Sequence, residues 1–329
     1  MKICVLALCA AFACCTLHAK TPVWQPTPGH TQIPIWPGAV PDAQPASAPE
    51  SAKPETHDLV AGKTWLYVSN VSRPTMTVYS SKVNNTGVAV VVFPGGGFQI
   101  LAIDLEGTEV CDWLTFHGIT CVLLKYRVPN SGPHWEQSCR CEVAPKAPTA
   151  LEDAQRTMGL VRLHAAEWHI NPHKIGVIGF SAGGFLVAAI STNYEKRLYP
   201  AIDAADRESA RPDFAIALYP GHLCEYPGHP CPHDGPPQTL RLNPEIHVTS
   251  QTPPTFLVQA ENDYEDGINQ SLTYYFALKK AGVPVEMHLY AQGGHGFGPR
   301  RTNLPITQWP ELMQMWLVTI GMSPARSDN

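Results

Sequence analysis

Apolar and β-branched residues concentrate along this chain in short runs: Thr75 to Tyr79, Val88 to Phe93, Ile119 to Lys125, Lys174 to Phe180, Asp213 to Leu218, Thr255 to Gln259 and Val285 to Tyr290. Runs of this length, bounded by turn formers, predict strands. Between them the spacing changes. Leu151, Ala154, Met158, Val161, Ala165 and Trp168 recur on one helical face, and Asn171-Pro172 stops that pattern. A second helix is predicted around Leu272, with Leu272, Tyr275 and Phe276 facing inward, Lys279 and Lys280 in its last turn and Gly282 as its stop. A third carries Trp309, Leu312, Met313, Trp316, Leu317 and Ile320 on one face, with Pro310 near its start and Gly321 at its end. Strand and helix in alternation predict an α/β chain: a mostly parallel central sheet with helices on both faces.

The ends of the chain break this alternation. From Thr21 to about His57 prolines crowd a stretch without apolar periodicity, so residues 20–57 are expected as an extended arm or linker, its first half pinned by Trp24, Ile33, Ile35 and Trp36. No repeat and no further boundary follow Leu59. Residues 58–322 therefore read as one domain and 323–329 as a disordered tail. At the other end, Lys2 precedes an apolar run from Ile3 to Leu17 that is too short to span a bilayer and ends at Ala19. Residues 1–19 are expected to be a signal peptide cut near Ala19–Lys20, giving a secreted or periplasmic protein without stable membrane insertion. Cys14 and Cys15 raise a lipoprotein alternative, which the preceding Ala11-Phe12-Ala13 fits poorly.

Charge and cysteine content narrow the classes. A formal net charge of −5 over 329 residues gives no electrostatic footprint for nucleic acid. Outside the leader the cysteines are Cys111, Cys121, Cys139, Cys141, Cys224 and Cys231, an even set that suggests disulfides in an exported chain. Cys139 and Cys141, separated by one residue, are expected to pair elsewhere rather than with each other. His222, Cys224, His229, Cys231 and His233 could suggest zinc, but oxidising conditions and the intervening prolines favour a disulfide-pinned loop, and no metal is assigned. That loop is expected to overhang the site, with His222 able to contact substrate; Trp135 either lines the cleft or covers the core.

Candidate chemistry gathers at strand ends. The run Lys174 to Phe180 leads directly into Ser181, and Ala182-Gly183-Gly184 opens a helix, so G-x-S-x-G stands between strand and helix. Gly179 and Gly183 are required where the two elements nearly touch, which holds the Ser181 oxygen clear of the backbone. Pro94-Gly95-Gly96-Gly97-Phe98 follows another strand, and Gly96 or Gly97 together with Ala182 are the expected N–H donors to an oxyanion. No Lys-Ser or Lys-Thr follows the glycines, which argues against a nucleotide loop. A serine hydroxyl needs an imidazole to take its proton and a carboxylate to orient that imidazole. His295, in Gly293-Gly294-His295-Gly296-Phe297-Gly298, is the candidate base. Among Glu261, Asp263, Glu265 and Asp266 the candidate acid is Asp263, with Asp266 in reserve.

These residues resemble the bacterial α/β-hydrolases related to acetyl xylan esterases and feruloyl esterases. The likeness is carried by P-G-G-G-F at Pro94, K-Y-R-V-P at Lys125, D-A-Q-R at Asp153, I-G-V-I-G-F-S-A-G-G at Ile175, A-L-K-K-A-G-V-P-V-E-M-H-L-Y at Ala277 and G-G-H-G-F-G at Gly293, over roughly Val88 to Gly321. It implies the α/β-hydrolase fold, a Ser181-Asp263-His295 triad, action on ester groups of plant polysaccharide or small esters, and no cofactor. Three features depart from the usual pattern: Pro94 where His is frequent, Phe185 after the nucleophile glycines, and an acid loop reading N-D-Y-E-D-G. Two other functions fit the same residues: a serine peptidase of prolyl oligopeptidase type, although no gating domain is read along this chain, and a non-catalytic carbohydrate-binding protein on the same fold.

Overall fold

The computed structural model describes residues 23–81, 84–145, 147–225, 231 and 240–324. The expected leader, residues 325–329 of the expected tail, and His229 and His233 lie outside them. All seven apolar runs form strands, joined by one more at the edge: β1 (Gln32–Pro34), β2 (Thr75–Tyr79), β3 (Ala89–Phe93), β4 (Thr120–Lys125), β5 (Ile175–Phe180), β6 (Ala215–Leu218), β7 (Thr255–Ala260) and β8 (Val285–Tyr290). They make one sheet in the order β1-β2-β4-β3-β5-β6-β7-β8. β2 runs antiparallel to β1 and β4, and every other neighbouring pair is parallel. Every residue of β3 through β7 is buried, which requires cover on both faces of the sheet. That cover comes from α1 (Glu109–Phe116), α2 (Thr149–Leu163), α3 (Ala182–Thr192), α4 (Asn269–Lys280) and α5 (Trp309–Thr319).

Strand order also locates the site. The chain leaves β3 to one side to form β4 and returns on the other side of β3 as β5. The carboxyl ends of β3 and β5 therefore border the crevice where parallel sheets place ligands. Pro94 to Gly97 follow the first of these strands and Ser181 follows the second.

Several expectations change. The first half of the Pro-rich segment is pinned as Trp24, Ile33, Ile35 and Trp36 suggest, but the segment is strand-paired rather than an arm or linker. β1 pairs with β2 in the main sheet, Trp24, Ile35 and Trp36 are buried in the core, and Trp36 Nε1 donates to Asp153 at 2.8 Å. Proline permits this because β1 is an edge strand, where a missing N–H breaks no ladder. Further on, Ser51–Val60 forms a hairpin with Lys63–Ser69, so this segment too is paired. At the other end Ser323 is buried and its N–H bonds to the Leu317 carbonyl at 3.1 Å, so residue 323 packs on the domain rather than opening a disordered tail. α2 ends at Leu163, earlier than its apolar spacing suggests, and tight turns then keep Ala165 in the core. In α4 Tyr274 and Leu278 are buried and Tyr275 packs half-buried against the core, whereas Phe276 is 54% exposed.

Among the described residues, three disulfides join Cys111 to Cys121, Cys139 to Cys141 and Cys224 to Cys231. The second overturns the expectation that Cys139 and Cys141 pair elsewhere. Arg140 between them adopts φ 51°, and the resulting tight turn leaves their Cα atoms 5.2 Å apart, inside the range a disulfide spans.

Candidate active site

β5 delivers Ser181 in a backbone conformation of φ 53° and ψ −120°, uncommon for any residue with a side chain. α3 begins at the next residue. A Cβ on Gly179 would stand 2.0 Å from the Gly183 carbonyl oxygen, and one on Gly183 would stand 2.1 Å from that of Phe93. Backbone on backbone cannot yield that much, so both positions need glycine, and the turn presents Ser181 to the cleft.

His295 arrives on the loop after β8. Its Nε2 lies 2.9 Å from Ser181 Oγ, and its Nδ1 donates to the Asp263 carboxylate at 3.0 and 2.9 Å. An ionised carboxylate only accepts, so the Asp263 contact keeps a proton on Nδ1 and turns Nε2 toward the serine. Asp263 is buried and held from several sides. Its Oδ1 accepts the N–H groups of Glu265 and Asp266, both at 3.0 Å, and its Oδ2 accepts Gln259 Nε2 at 2.9 Å. Ser271 fixes that glutamine by donating to Gln259 Oε1 at 2.8 Å. Asn262 Oδ1 takes the N–H groups of Gly293 and Gly294 at 2.9 Å each, so the acid loop carries the histidine loop. Asp266, the reserve candidate, stands on the other side of the ring, 4.0 Å from Nε2.

Burial acts to lower the His295 pKa. The hydrogen bond to Asp263 and the charges of Asp266, Asp263 and Glu106 oppose it and push the value up to about 9. Burial likewise raises the Asp266 carboxyl, against the pull of His295 and His222.

Gly96 and Gly97 line the same cleft as Ser181, while Ala182 opens α3 beside it. Among the described residues no acceptor takes the N–H of Gly96, Gly97 or Ala182. Gly96 has φ 130°, and a Cβ there would meet the Ile100 carbonyl oxygen at 2.4 Å. Gly97 has open space beside it, and its φ of 59° is what favours glycine. Pro94, standing where the related motif often has histidine, is fixed by Tyr126, whose hydroxyl donates to the Pro94 carbonyl at 2.6 Å.

The cleft has a volume of about 680 Å³ and is walled by Trp65, Trp135, Glu142, His222 and Tyr264 besides the residues above. Trp135 therefore lines it rather than covering the core. His222 Nδ1 donates to Glu142 at 2.9 Å, and behind it Phe185 and Phe98 pack against its ring. Sequence reasoning passed over Glu106, Tyr219, Gln259 and Asn262. Tyr219 carried a usable signal, being the first residue beyond β6. Glu106 carried none, since Asp104 and Glu109 beside it are equally acidic.

The chain matches the prolyl oligopeptidase family over residues 151–319. It is 29% identical over 225 residues to an acetylxylan esterase of Xylanibacter ruminicola, covering 65% of this chain and 42% of that protein. It is 26% identical over 216 residues to an endo-1,4-beta-xylanase B of Butyrivibrio fibrisolvens, covering 63% of this chain and 32% of that protein. It thus spans less than half the length of these curated relatives. Among solved structures, an acetyl ester-xyloside bifunctional hydrolase from Caldicellulosiruptor lactoaceticus superposes with a TM-score of 0.66 at 29% identity, covering 89% of this chain and 97% of that one. Native esterase 2 of Thermogutta terrifontis shares the fold, with a TM-score of 0.61 at 22% identity over 84% of this chain and 95% of its own. The motif turn, the strand order and these similarities agree: the chain is an α/β-hydrolase related to acetylxylan esterase and belongs to the prolyl oligopeptidase family.

Proposed function

We propose that this protein is a serine carboxylic-ester hydrolase working through an acyl-enzyme intermediate, with Ser181 as nucleophile, His295 as general base and Asp263 as the acid. The observation that carries this reading is the unbroken relay in which Ser181 Oγ meets His295 Nε2 at 2.9 Å and His295 Nδ1 meets Asp263 at 2.9 Å. As Ser181 attacks the ester carbonyl, its proton passes to His295. The carbonyl oxygen takes up negative charge, and N–H groups of Gly96 or Gly97 and of Ala182 are the donors assigned to it. Losing one such donor costs about 3 kcal/mol of transition-state stabilisation. The alcohol departs with the proton from His295, and water repeats the sequence to release the acid.

Similarity to the acetylxylan esterase supports an acetyl group carried by plant polysaccharide as the substrate. Three disulfides support an exported setting. Family membership favours a second reading, a serine peptidase with the same relay. Parallel assays with 4-nitrophenyl acetate, acetylated xylan and a proline-peptide chromogen separate the two. Ester turnover that Ser181→Ala abolishes is expected. Peptide turnover without ester turnover would move the assignment to the peptidase. Failure of all three, with Ser181 unlabelled by a fluorophosphonate, would remove the enzymatic reading.

A further inference from the structure

Glu106 is a carboxylate only 4% exposed at the floor of the cleft, and the acyl-transfer sequence above gives it no task. It sits on a π-helical turn, Asp104–Thr108, just before α1. Its Oε2 accepts the Gly95 N–H at 2.7 Å, and its Oε1 accepts the Tyr219 hydroxyl at 2.8 Å. Tyr219 OH in turn accepts the Gly298 N–H at 3.1 Å, and the tyrosine ring stands edge-on to His295 and Phe297 at centroid distances of 5.0 and 4.4 Å. The Gly298 carbonyl is held by Trp309 Nε1 at 2.8 Å. One buried charge thus joins the loop bearing Gly96 and Gly97 to the loop bearing His295.

The packing is tight as well as bonded. A Cβ on Gly95 would lie 2.7 Å from Glu106 Oε2 and 3.0 Å from Ser181 Cβ. Burying a carboxylate costs several kcal/mol unless charge or hydrogen bonds compensate it. Both hydrogen-bond donors to Glu106 are neutral groups. Burial leaves the Glu106 carboxyl raised above the ordinary glutamate value, with the Tyr219 hydroxyl, the Gly95 N–H and the charge of His295 offsetting part of that rise. A tie between two loops could be made by a neutral amide. A charge at this place is useful where a cation forms and disappears, as the His295 imidazolium does in each half of acyl transfer.

We propose that Glu106 is a positioning residue: through Gly95 and Tyr219 it holds the oxyanion loop and the histidine loop in register, and its charge stabilises the His295 imidazolium. This rests on the assignment of Ser181 and His295 given above. Among the described residues, the charged groups that act on His295 are Asp263 and Asp266 from the loop after β7 and Glu106 from the π-helical turn.

The test uses the full chain and its E106Q and Y219F variants, with 4-nitrophenyl acetate kinetics across pH, fluorophosphonate labelling of Ser181, and Tm. E106Q is expected to lower kcat about 100- to 1,000-fold with little change in KM. It is also expected to move the acid limb of kcat/KM to lower pH, because removing a negative charge lowers the imidazolium pKa. Y219F, which leaves the carboxylate in place, should lower kcat less and move the limb little. An E106Q enzyme that stays folded with an unmoved acid limb or with wild-type kcat overturns the proposal. Should E106Q fail to fold, Y219F decides through kcat, and a wild-type value there overturns it. A wild-type chain that neither turns over nor is labelled at Ser181 removes the underlying assignment and this inference with it, whereas an active wild type with two indifferent variants removes this inference alone.

Discussion

Asp263 and Asp266 lie three residues apart, yet they meet opposite sides of one imidazole, and that difference separates their expected effects. Asp263 bonds Nδ1 and sets the tautomer; Asp266 stands 4.0 Å from Nε2 and acts only through its charge. Asp263→Asn should lower kcat by about four orders of magnitude. Asp266→Asn should cost far less and shift the acid limb of kcat/KM to lower pH; if it proves the more damaging change, the acid has been misassigned. The His295 value of about 9 sets the pH dependence itself. Below it the imidazole is charged and cannot accept the serine proton, so kcat/KM with a small ester should rise with pH and level off above about 9. Stability runs the other way. A folded-state pKa raised above the ordinary 6.5 adds stability that is complete below that pH and is lost as pH rises through about 9. Tm should therefore fall across the interval in which activity climbs.

At the scale of elements, the turn from β5 to α3 tolerates no added atom. Gly183→Ala places a methyl 2.1 Å from the Phe93 carbonyl oxygen, so β3 and α3 must separate. Overpacking of this kind costs about 3 kcal/mol, and a shift of ~1 Å at Ser181, the proposed nucleophile, costs about 100-fold in rate. A lower Tm together with a rate loss of at least that size is expected; wild-type activity in this variant would show that the turn is looser than its geometry implies. The hairpin of His134–Glu136 and Cys141–Val143, with the Cys139–Cys141 disulfide in its turn, sends Trp135 and Glu142 to the cleft wall. Its sequence shows two cysteines and a tryptophan in a long insertion. The positive φ at Arg140, which brings the two cysteines together, is written nowhere in that pattern.

Across the whole molecule, the N-terminal segment is a structural part of the domain. Trp36 bonds Asp153, and Asp153 also receives Arg127 Nε at 3.1 and 2.9 Å, joining the edge segment, the residues after β4 and α2 in one buried network. Trp36→Ala should lower stability by about 3–5 kcal/mol, read in a denaturant melt, because it leaves a cavity and removes a donor from a buried carboxylate. If this segment were a mere linker, the melt would not move.

What the sequence determined alone is the set of features controlled by near neighbours. Apolar runs become β3 to β7 because a strand buried on both faces needs no polar alternation, and G-x-S-x-G reads as a strand-to-helix turn because glycine is required within a few residues of the serine. The pairing of Ser181, His295 and Asp263 was inferable from strand ends in chain order; the distances among them were not. Tertiary structure alone decided that a proline-rich stretch closes a sheet edge, that Phe276 faces outward, that Cys139 meets Cys141, and that Glu106 reaches Gly95 and Tyr219. In the sheet edge and the Glu106 network the partners lie from 11 to more than a hundred residues apart. For Phe276 and the cysteine pair the outcome depends on surrounding packing or on one backbone dihedral. Periodicity and motif spacing carry no information about the long-range contacts, because those arise only when separate elements are packed together, nor about the single dihedral that closes the cysteine pair.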